Sequence, residues 1–233
     1  MTEKQNTILW ARFRFSVVGP LLSAPPARGE LKAAIVNHAC HPVYEMCMKQ
    51  VSADYPGELC REFHRRHAPA RMLFLNGACG NINPHTVSSG PQEARRHGEL
   101  MADRLEDALS SIRWSDSQHL HFARKKLRLP GRTVSGEPAR RPVLADVGFL
   151  EIGEGTIVFL LGEPFAELGL AIKRMSPKSY ILVAGYSGPY IGYIPTDRAF
   201  EEGGYELGPG AWSRVGKGSE GRILDAVSGQ LSP

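Results

Sequence analysis

The sequence predicts an α/β fold, a mixed β-sheet flanked by helices. Short aliphatic and β-branched runs alternate along the chain with amphipathic stretches of helical period, the interleaving that builds α/β layers. Two of the runs, from Val143 to Ile152 and from Thr156 to Leu161, are separated only by Gly153-Glu154-Gly155. That is hairpin chemistry, so part of the sheet must be antiparallel. Polar, potentially ligating side chains stand at or just past the ends of several runs, where an open α/β sheet exposes them to a cleft.

The first element with a clear signal is a buried strand at residues 32–38. Upstream, Ile8 to Val18 has strand character and Gly19 to Pro26 reads as a loop, with no obvious pairing partner. The domain is therefore expected over residues 32–233, with residues 1–31 an unassigned N-terminal segment. Ser52 or Asp54 can cap a helix with Pro56 in its first turn, and Tyr55, Leu59 and Phe63 recur at i, i+4, i+8 as one apolar stripe. A strand at residues 71–75 leads into a glycine-rich loop, Asn76-Gly-Ala-Cys-Gly-Asn-Ile-Asn-Pro84.

A long helix is expected from Pro91 to Ile112, its core face set by Leu105, Leu109 and Ile112. Strand-like pattern then runs from His119 to Leu129 and through the hairpin above. A helix from Pro164 to Met175, a strand from Tyr180 to Ala184, a short helix from Thr196 or Asp197 to near Gly203, and a last helix from Ser219 to Leu231 complete the chain.

Composition limits what such a chain does. With 233 residues, 42% hydrophobic and 22% charged, it can bury a sizeable core and is not a disordered tail. A net charge of +4 is well short of a dedicated nucleic-acid binder, and no nucleic-acid partner is expected. No apolar run reaches the roughly 18 residues a membrane span requires, and Met1 to Thr7 lacks a secretory pattern. A cytoplasmic chain is the expectation. Cys40, Cys47, Cys60 and Cys79 show no CxxC spacing and are read as reduced packing residues. The basic stretch at residues 122–141 reads as a solvated hairpin, with peripheral contact to an anionic membrane the alternative.

Three remote segments hold the candidate chemistry: Asn37-His-Ala-Cys-His-Pro42, Leu161-Gly-Glu-Pro164, and Gly192-Tyr-Ile-Pro-Thr196 followed by Gly203-Gly-Tyr-Glu206. His41 is either a satisfied structural imidazole or a ligand. Glu163 directly follows a buried run and is either a first-turn helix charge or a paired or metal-bound carboxylate. Tyr193 and Tyr205, twelve positions apart, either pack or supply a phenolate and a hydrogen-bond donor. An imidazole, a carboxylate and a phenol brought together would suit zinc. The loop around Gly80 permits close backbone approach, and its amides are candidates for holding an oxyanion. A thiol nucleophile, Cys79 or Cys40 beside His41, is the competing chemistry.

Taken together, these segments resemble the neutral, non-lysosomal ceramidase family and its bacterial relatives. The matching stretches are Asn37-His-Ala-Cys-His-Pro-Val43, Ser52-Ala-Asp-Tyr-Pro-Gly57, Phe74 to Pro84, Gly162-Glu-Pro-Phe-Ala-Glu-Leu-Gly169, and Gly192 to Glu206. The resemblance implies a zinc ion held by two histidines, a glutamate and a tyrosine, and the hydrolysis of the amide bond of an N-acyl sphingoid base, so that an N-acyl amide in a small or lipid-like sphingolipid-type substrate is the expectation here. It places one histidine at His41, the glutamate at Glu163, the tyrosine at Tyr193, and a tyrosine contacting the reacting amide at Tyr205. The family's other zinc histidine lies upstream of the matched region, and no histidine precedes His38 here, so the implied site is incomplete. The chain thus resembles the C-terminal part of a catalytic domain. The family's nucleophilic serine falls on Asn83, whose amide cannot attack a carbonyl. An inactive remnant or binding domain of the same fold is the alternative function.

Overall fold

The hairpin at Gly153 is the seam of the larger sheet. In the computed structural model, residues 16–18, 31–113, 115, 117–175, 180–210 and 212–231 are described. They form two compact units that the chain enters more than once: one from Met1–His38, Tyr44–Leu75 and Ser88–Trp114, the other from Ala39–Val43, Asn76–Val87 and Ser115–Pro233.

The first unit holds a three-stranded sheet in the order β1-β2-β3, where β1 is Ser16–Val18, β2 is Ala33–His38 and β3 is Arg71–Asn76. β1 runs antiparallel to β2, with Val17 opposite Val36. The N-terminal segment therefore does have a partner, one that local pattern could not reveal. Helix α1 (Asp54–His67) packs on helix α2 (Pro91–Ser110). The stripe Tyr55, Leu59 and Phe63 is at most 1% exposed, and the apolar face of α2 buries Ala94, Met101, Ala102 and Leu105. Asp54 opens α1 in an unusual way. Its φ is 51°, and its carboxylate accepts from the amides of Tyr55 (2.7 Å) and Glu45 (2.8 Å), while its own amide donates to Ser52 Oγ.

His97 of α2 is stacked on Tyr55 with ring centroids 4.2 Å apart, meets His38 and Tyr44 edge-on, and lies 3.1 Å from the Tyr44 hydroxyl through Nδ1. Burial pushes its pKa below the usual histidine value, against the opposing charge of Asp54. The folded state therefore disfavours the proton that the unfolded chain accepts below about pH 6.5. Stability conferred by neutral His97 is present above that pH and is lost as the pH falls through the depressed folded value. Urea denaturation at pH 7.5 and pH 5 should show a larger loss for the wild type than for His97→Phe, which keeps the stack on Tyr55 and cannot take up the proton.

The second unit is built on a four-stranded sheet in the order β4-β5-β6-β8: β4 Leu120–Arg132, β5 Pro138–Ile152, β6 Gly155–Phe159 and β8 Tyr180–Ala184. β4, β5 and β6 form an antiparallel meander, and β8 joins β6 in parallel, so the sheet is mixed as expected. Helix α3 (Ala166–Arg174) lies in the connection between β6 and β8, the short helix α4 is Ala199–Glu202, and helix α5 (Ser219–Leu231) packs on α3 and β4. Alternate residues of the strands, Val147, Phe149, Val158, Ile181 and Val183, face Leu168 and Ile172 of α3 and Ile223 and Val227 of α5. Each such fully buried aliphatic or aromatic side chain contributes about 1.5–3 kcal/mol.

The basic stretch is indeed a hairpin, β4 with β5. Arg124 pairs with Asp146 at 3.4 Å, and Phe122 and Leu144 stand 60% and 71% exposed. Among the described residues no helix is long and apolar enough to cross a membrane.

One element departs from expectation in a way that matters for the site. The helix expected from Pro164 starts at Ala166, because Glu163–Pro164 forms a short strand, β7, paired in parallel with β9, Tyr193–Ile194. Glu163 is therefore not a first-turn helix charge.

Candidate active site around His41 and Glu163

All the candidate residues that approach one another belong to the second unit. Pairing of β7 with β9 sets Glu163 directly opposite Tyr193. The Glu163 amide donates to the Gly192 carbonyl at 3.0 Å, and the Tyr193 amide donates to the Trp212 carbonyl at 2.8 Å. Gly162 and Gly192, with φ of 67° and 78°, allow these backbones to cross, since a Cβ on Gly162 would lie 2.2 Å from the Gly192 carbonyl oxygen. The Glu163 side chain is thereby fixed in a buried position, 6% exposed.

His41 reaches this carboxylate from the segment after β2. The Ile82 carbonyl accepts from the His41 amide at 3.0 Å and lies 3.0 Å from Nδ1. A carbonyl only accepts, so Nδ1 carries hydrogen and Nε2 is the nitrogen left for chemistry. Nε2 lies 2.7 Å from Glu163 Oε2. A neutral ring with that tautomer would set a lone pair against a carboxylate oxygen, so a positive centre, a second proton or a cation, must lie on this side of the ring. Burial alone would lower the His41 pKa. Hydrogen bonds with Cys79, Glu163 and the Ile82 carbonyl outweigh it and raise the value to about 10.

Two further phenols close around the same carboxylate. Tyr186 donates to Glu163 Oε2 at 2.9 Å, and Tyr190 donates to Oε1. Burial favours the neutral carboxylic acid, but the hydrogen bonds from His41, Tyr190 and Tyr186 prevail and hold the Glu163 pKa below its usual value. Burial, reinforced by the Glu163 charge, pushes Tyr186, Tyr190 and Tyr193 well above the ordinary tyrosine range. All three are neutral donors unless a cation stands beside them.

Sequence reasoning missed Tyr186 and Tyr190. They follow the buried run of β8 in Gly185-Tyr-Ser-Gly-Pro-Tyr190, the strand-end position that singled out the other candidates, and that signal was readable. The φ of 57° that turns Tyr186 inward had no sequence mark.

The other candidates fall as follows. The Tyr193 ring centroid is 6.4 Å from that of His41. Tyr205 lies on a short 3-10 turn, 65% exposed, edge-on to Tyr193 at 6.3 Å and stacked on Trp212 at 5.7 Å. Asn83 is exposed, one residue past the carbonyl that anchors His41. The part expected of Gly80 needs correction. Its N–H donates to the Pro164 carbonyl at 2.8 Å, and the Ile82 N–H donates to the Cys79 carbonyl, so neither is offered to an oxyanion. The thiol reading also fails on access. Cys79 touches His41 and Tyr186 yet is 0% exposed, and Cys40 is 2% exposed, so neither sulfur can be reached by an acyl group.

The donors gathered here, an imidazole nitrogen, a carboxylate and neighbouring phenols, are of the kind that suit a cation of zinc type. A metal-binding histidine usually donates its other ring N–H to a carbonyl or carboxylate, as His41 Nδ1 does to Ile82. Among the described residues no three His, Cys, Asp or Glu side chains converge. Tyr193 is the phenol paired across from Glu163.

The fold so defined resembles part of the ceramidase fold. The chain is similar to a neutral ceramidase from Pseudomonas aeruginosa, with a TM-score of 0.70 and 14% identity over 87% of this chain and 44% of that one. A ceramidase complexed with C2 gives a TM-score of 0.71 and 13% identity over 87% and 45%. This chain thus spans less than half the length of either, and at such identity the likeness is one of fold. No family model and no curated protein sequence matches.

Proposed function

We propose that this chain carries the site of a metal-dependent amidohydrolase acting on linear N-acyl amides, small or lipid-like, as part of a ceramidase-like catalytic domain. The observation that carries the reading is the outward-facing Nε2 of His41, set 2.7 Å from a buried carboxylate by the anchoring of Nδ1 on Ile82. His41, Glu163 and Tyr193 would hold zinc. When bound, the ion supplies Lewis acidity that polarises a carbonyl and acidifies water. Tyr186 and Tyr190 keep Glu163 ionised and oriented. Tyr205, exposed beside Tyr193, offers its hydroxyl to a developing oxyanion, and the exposed Asn83 amide, next in sequence to Ile82, would be a further donor. Water is the attacking group, because Asn83 has no nucleophilic atom.

One observation favours a second reading, a catalytically silent domain of the same fold. Glu163 already receives hydrogen bonds from His41, Tyr186 and Tyr190, a cluster satisfied without a cation. Metal analysis of the dialysed protein, with fatty-acid release from a panel of N-acyl amines, decides between them. With three of the four implied ligands in the chain, weak zinc binding is expected: uptake of added zinc that is lost in His41→Ala, with turnover that a chelator abolishes, is the expected result. A metal-free, inactive protein that binds no added zinc would leave the silent domain.

A further inference from the structure

The open side of this site carries a guanidinium that the reading above does not use. Residues 212–215 are pinned on both sides: the Tyr193 amide donates to the Trp212 carbonyl at 2.8 Å, the Arg214 amide to Ile191 at 3.2 Å, and the Arg132 amide to the Arg214 carbonyl at 2.8 Å. Ser213 and Val215 are 0% exposed while Trp212 is 45% exposed and Arg214 is exposed, so strand alternation turns Trp212 and Arg214 outward on one face. Trp212 stacks on Tyr205, which meets Tyr193 edge-on. Arg214 thus flanks an open aromatic surface that runs from Trp212 through Tyr205 to Tyr193, the residue paired opposite Glu163.

Neighbouring cations are engaged. Arg132 donates to the carbonyls of Gly136 and Leu207, Arg198 pairs with Glu202, and Lys217 pairs with Glu201. Among the described residues Arg214 makes no ion pair within 4 Å. A single guanidinium outside any ion pair suits a monoanion. Its planar fork matches a carboxylate in two parallel hydrogen bonds.

We propose that Arg214 reads a carboxylate on the ligand, so that the amides this site takes are N-acyl amino acids, their apolar part lying along Tyr205 and Trp212. The identification of the ligand as a substrate rests on the hydrolase reading; the binding does not. The test is calorimetric titration of the full chain with an N-acylglycine and with the same compound bearing a primary carboxamide in place of the carboxylate. The wild type should bind the acid at least about tenfold more tightly, the difference that a charge-assisted hydrogen bond of about 1.4 kcal/mol makes.

Arg214→Gln should abolish the preference, and Arg214→Lys should keep part of it. His41→Ala should leave it intact, because the carboxylate is not being held at the His41–Glu163 pair. Equal affinities in the wild type, no binding of either compound, a preference that survives Arg214→Gln, or one that vanishes in His41→Ala would each overturn the proposal. Selective binding without hydrolysis of the acid would leave it standing and remove the hydrolase reading instead.

Discussion

Glu163→Gln is expected to cost this protein about 3 kcal/mol of stability, the lower end for breaking a buried ion pair by removing one partner. Glutamine keeps the shape and one carbonyl oxygen, but it replaces the second acceptor with an NH2 group. The hydrogen-bond inventory shows why this is severe. Three donors, His41 Nε2, Tyr186 Oη and Tyr190 Oη, converge on the two carboxylate oxygens in a residue 6% exposed. After the change, one of them faces another donor, and the positive charge His41 carried at neutral pH loses its counter-ion.

Tyr186→Phe provides the scale. It removes a single hydrogen bond to a charged acceptor, worth about 1.5–3 kcal/mol, and leaves the His41 contact untouched. Urea denaturation should rank Glu163→Gln below Tyr186→Phe and both below wild type. If a hydrolytic activity is present, Glu163→Gln should lower it by at least about tenfold to a hundredfold, the loss that disturbing even the partners of metal ligands brings, and it should also lower bound zinc. A Glu163→Gln protein as stable as wild type would mean that the cluster is not tied together through this carboxylate.

Why Glu163 was only half legible in the sequence follows from the elements around it. The run before it announced a buried strand, and the proline after it announced a helix start. Both signals are local, and both are partly true. What neither encodes is the pairing of Glu163–Pro164 with Tyr193–Ile194, nearly thirty residues on, which delays the helix to Ala166 and turns the carboxylate inward. The pairing of Ser16–Val18 with β2 was hidden for the same reason. Elements whose evidence is contained in their own residues were read closely: Tyr180–Ala184 and Ser219–Leu231 have the bounds expected of them. His41, Glu163 and Tyr193 were singled out because each sits at a strand end. The same rule applied to Gly185–Tyr190 would have added the two phenols that hold the carboxylate. The orientation of His41 was beyond reach, since it depends on a carbonyl at Ile82, and so was the loss of the Gly80 amide to Pro164.

Gly192→Ala should be the most damaging small substitution in the second unit, and its comparison with Gly203→Ala isolates the cause. Both glycines have positive φ, 78° and 77°, so a Cβ is penalised at either position. That penalty is of order 1–3 kcal/mol for an L-residue held in a sparsely populated backbone region. Around Gly203 a Cβ meets nothing within 4 Å. At Gly192 it would fall 1.9 Å from the Trp212 carbonyl oxygen and 2.8 Å from its carbon, both backbone atoms pinned by the Tyr193 amide. The overlap can be relieved only by moving the strand at 212–215 away, which breaks the Tyr193–Trp212 hydrogen bond, or by moving Gly192, which breaks the bond from Glu163. Steric strain of this kind adds about 1–3 kcal/mol to the dihedral cost. Urea titrations should therefore place Gly192→Ala roughly 2–6 kcal/mol below wild type and Gly203→Ala only about 1–3 kcal/mol below. The site should respond in parallel, because the same movement displaces Tyr193 from Glu163 and carries Trp212 and Arg214 with it. Gly203→Ala should keep whatever ligand and metal affinity the wild type has, and Gly192→Ala should lose both. Equal destabilisation of the two variants would show that the crossing of the two backbones is looser than the structure has it, and the placement of Tyr193 opposite Glu163 would lose its physical basis.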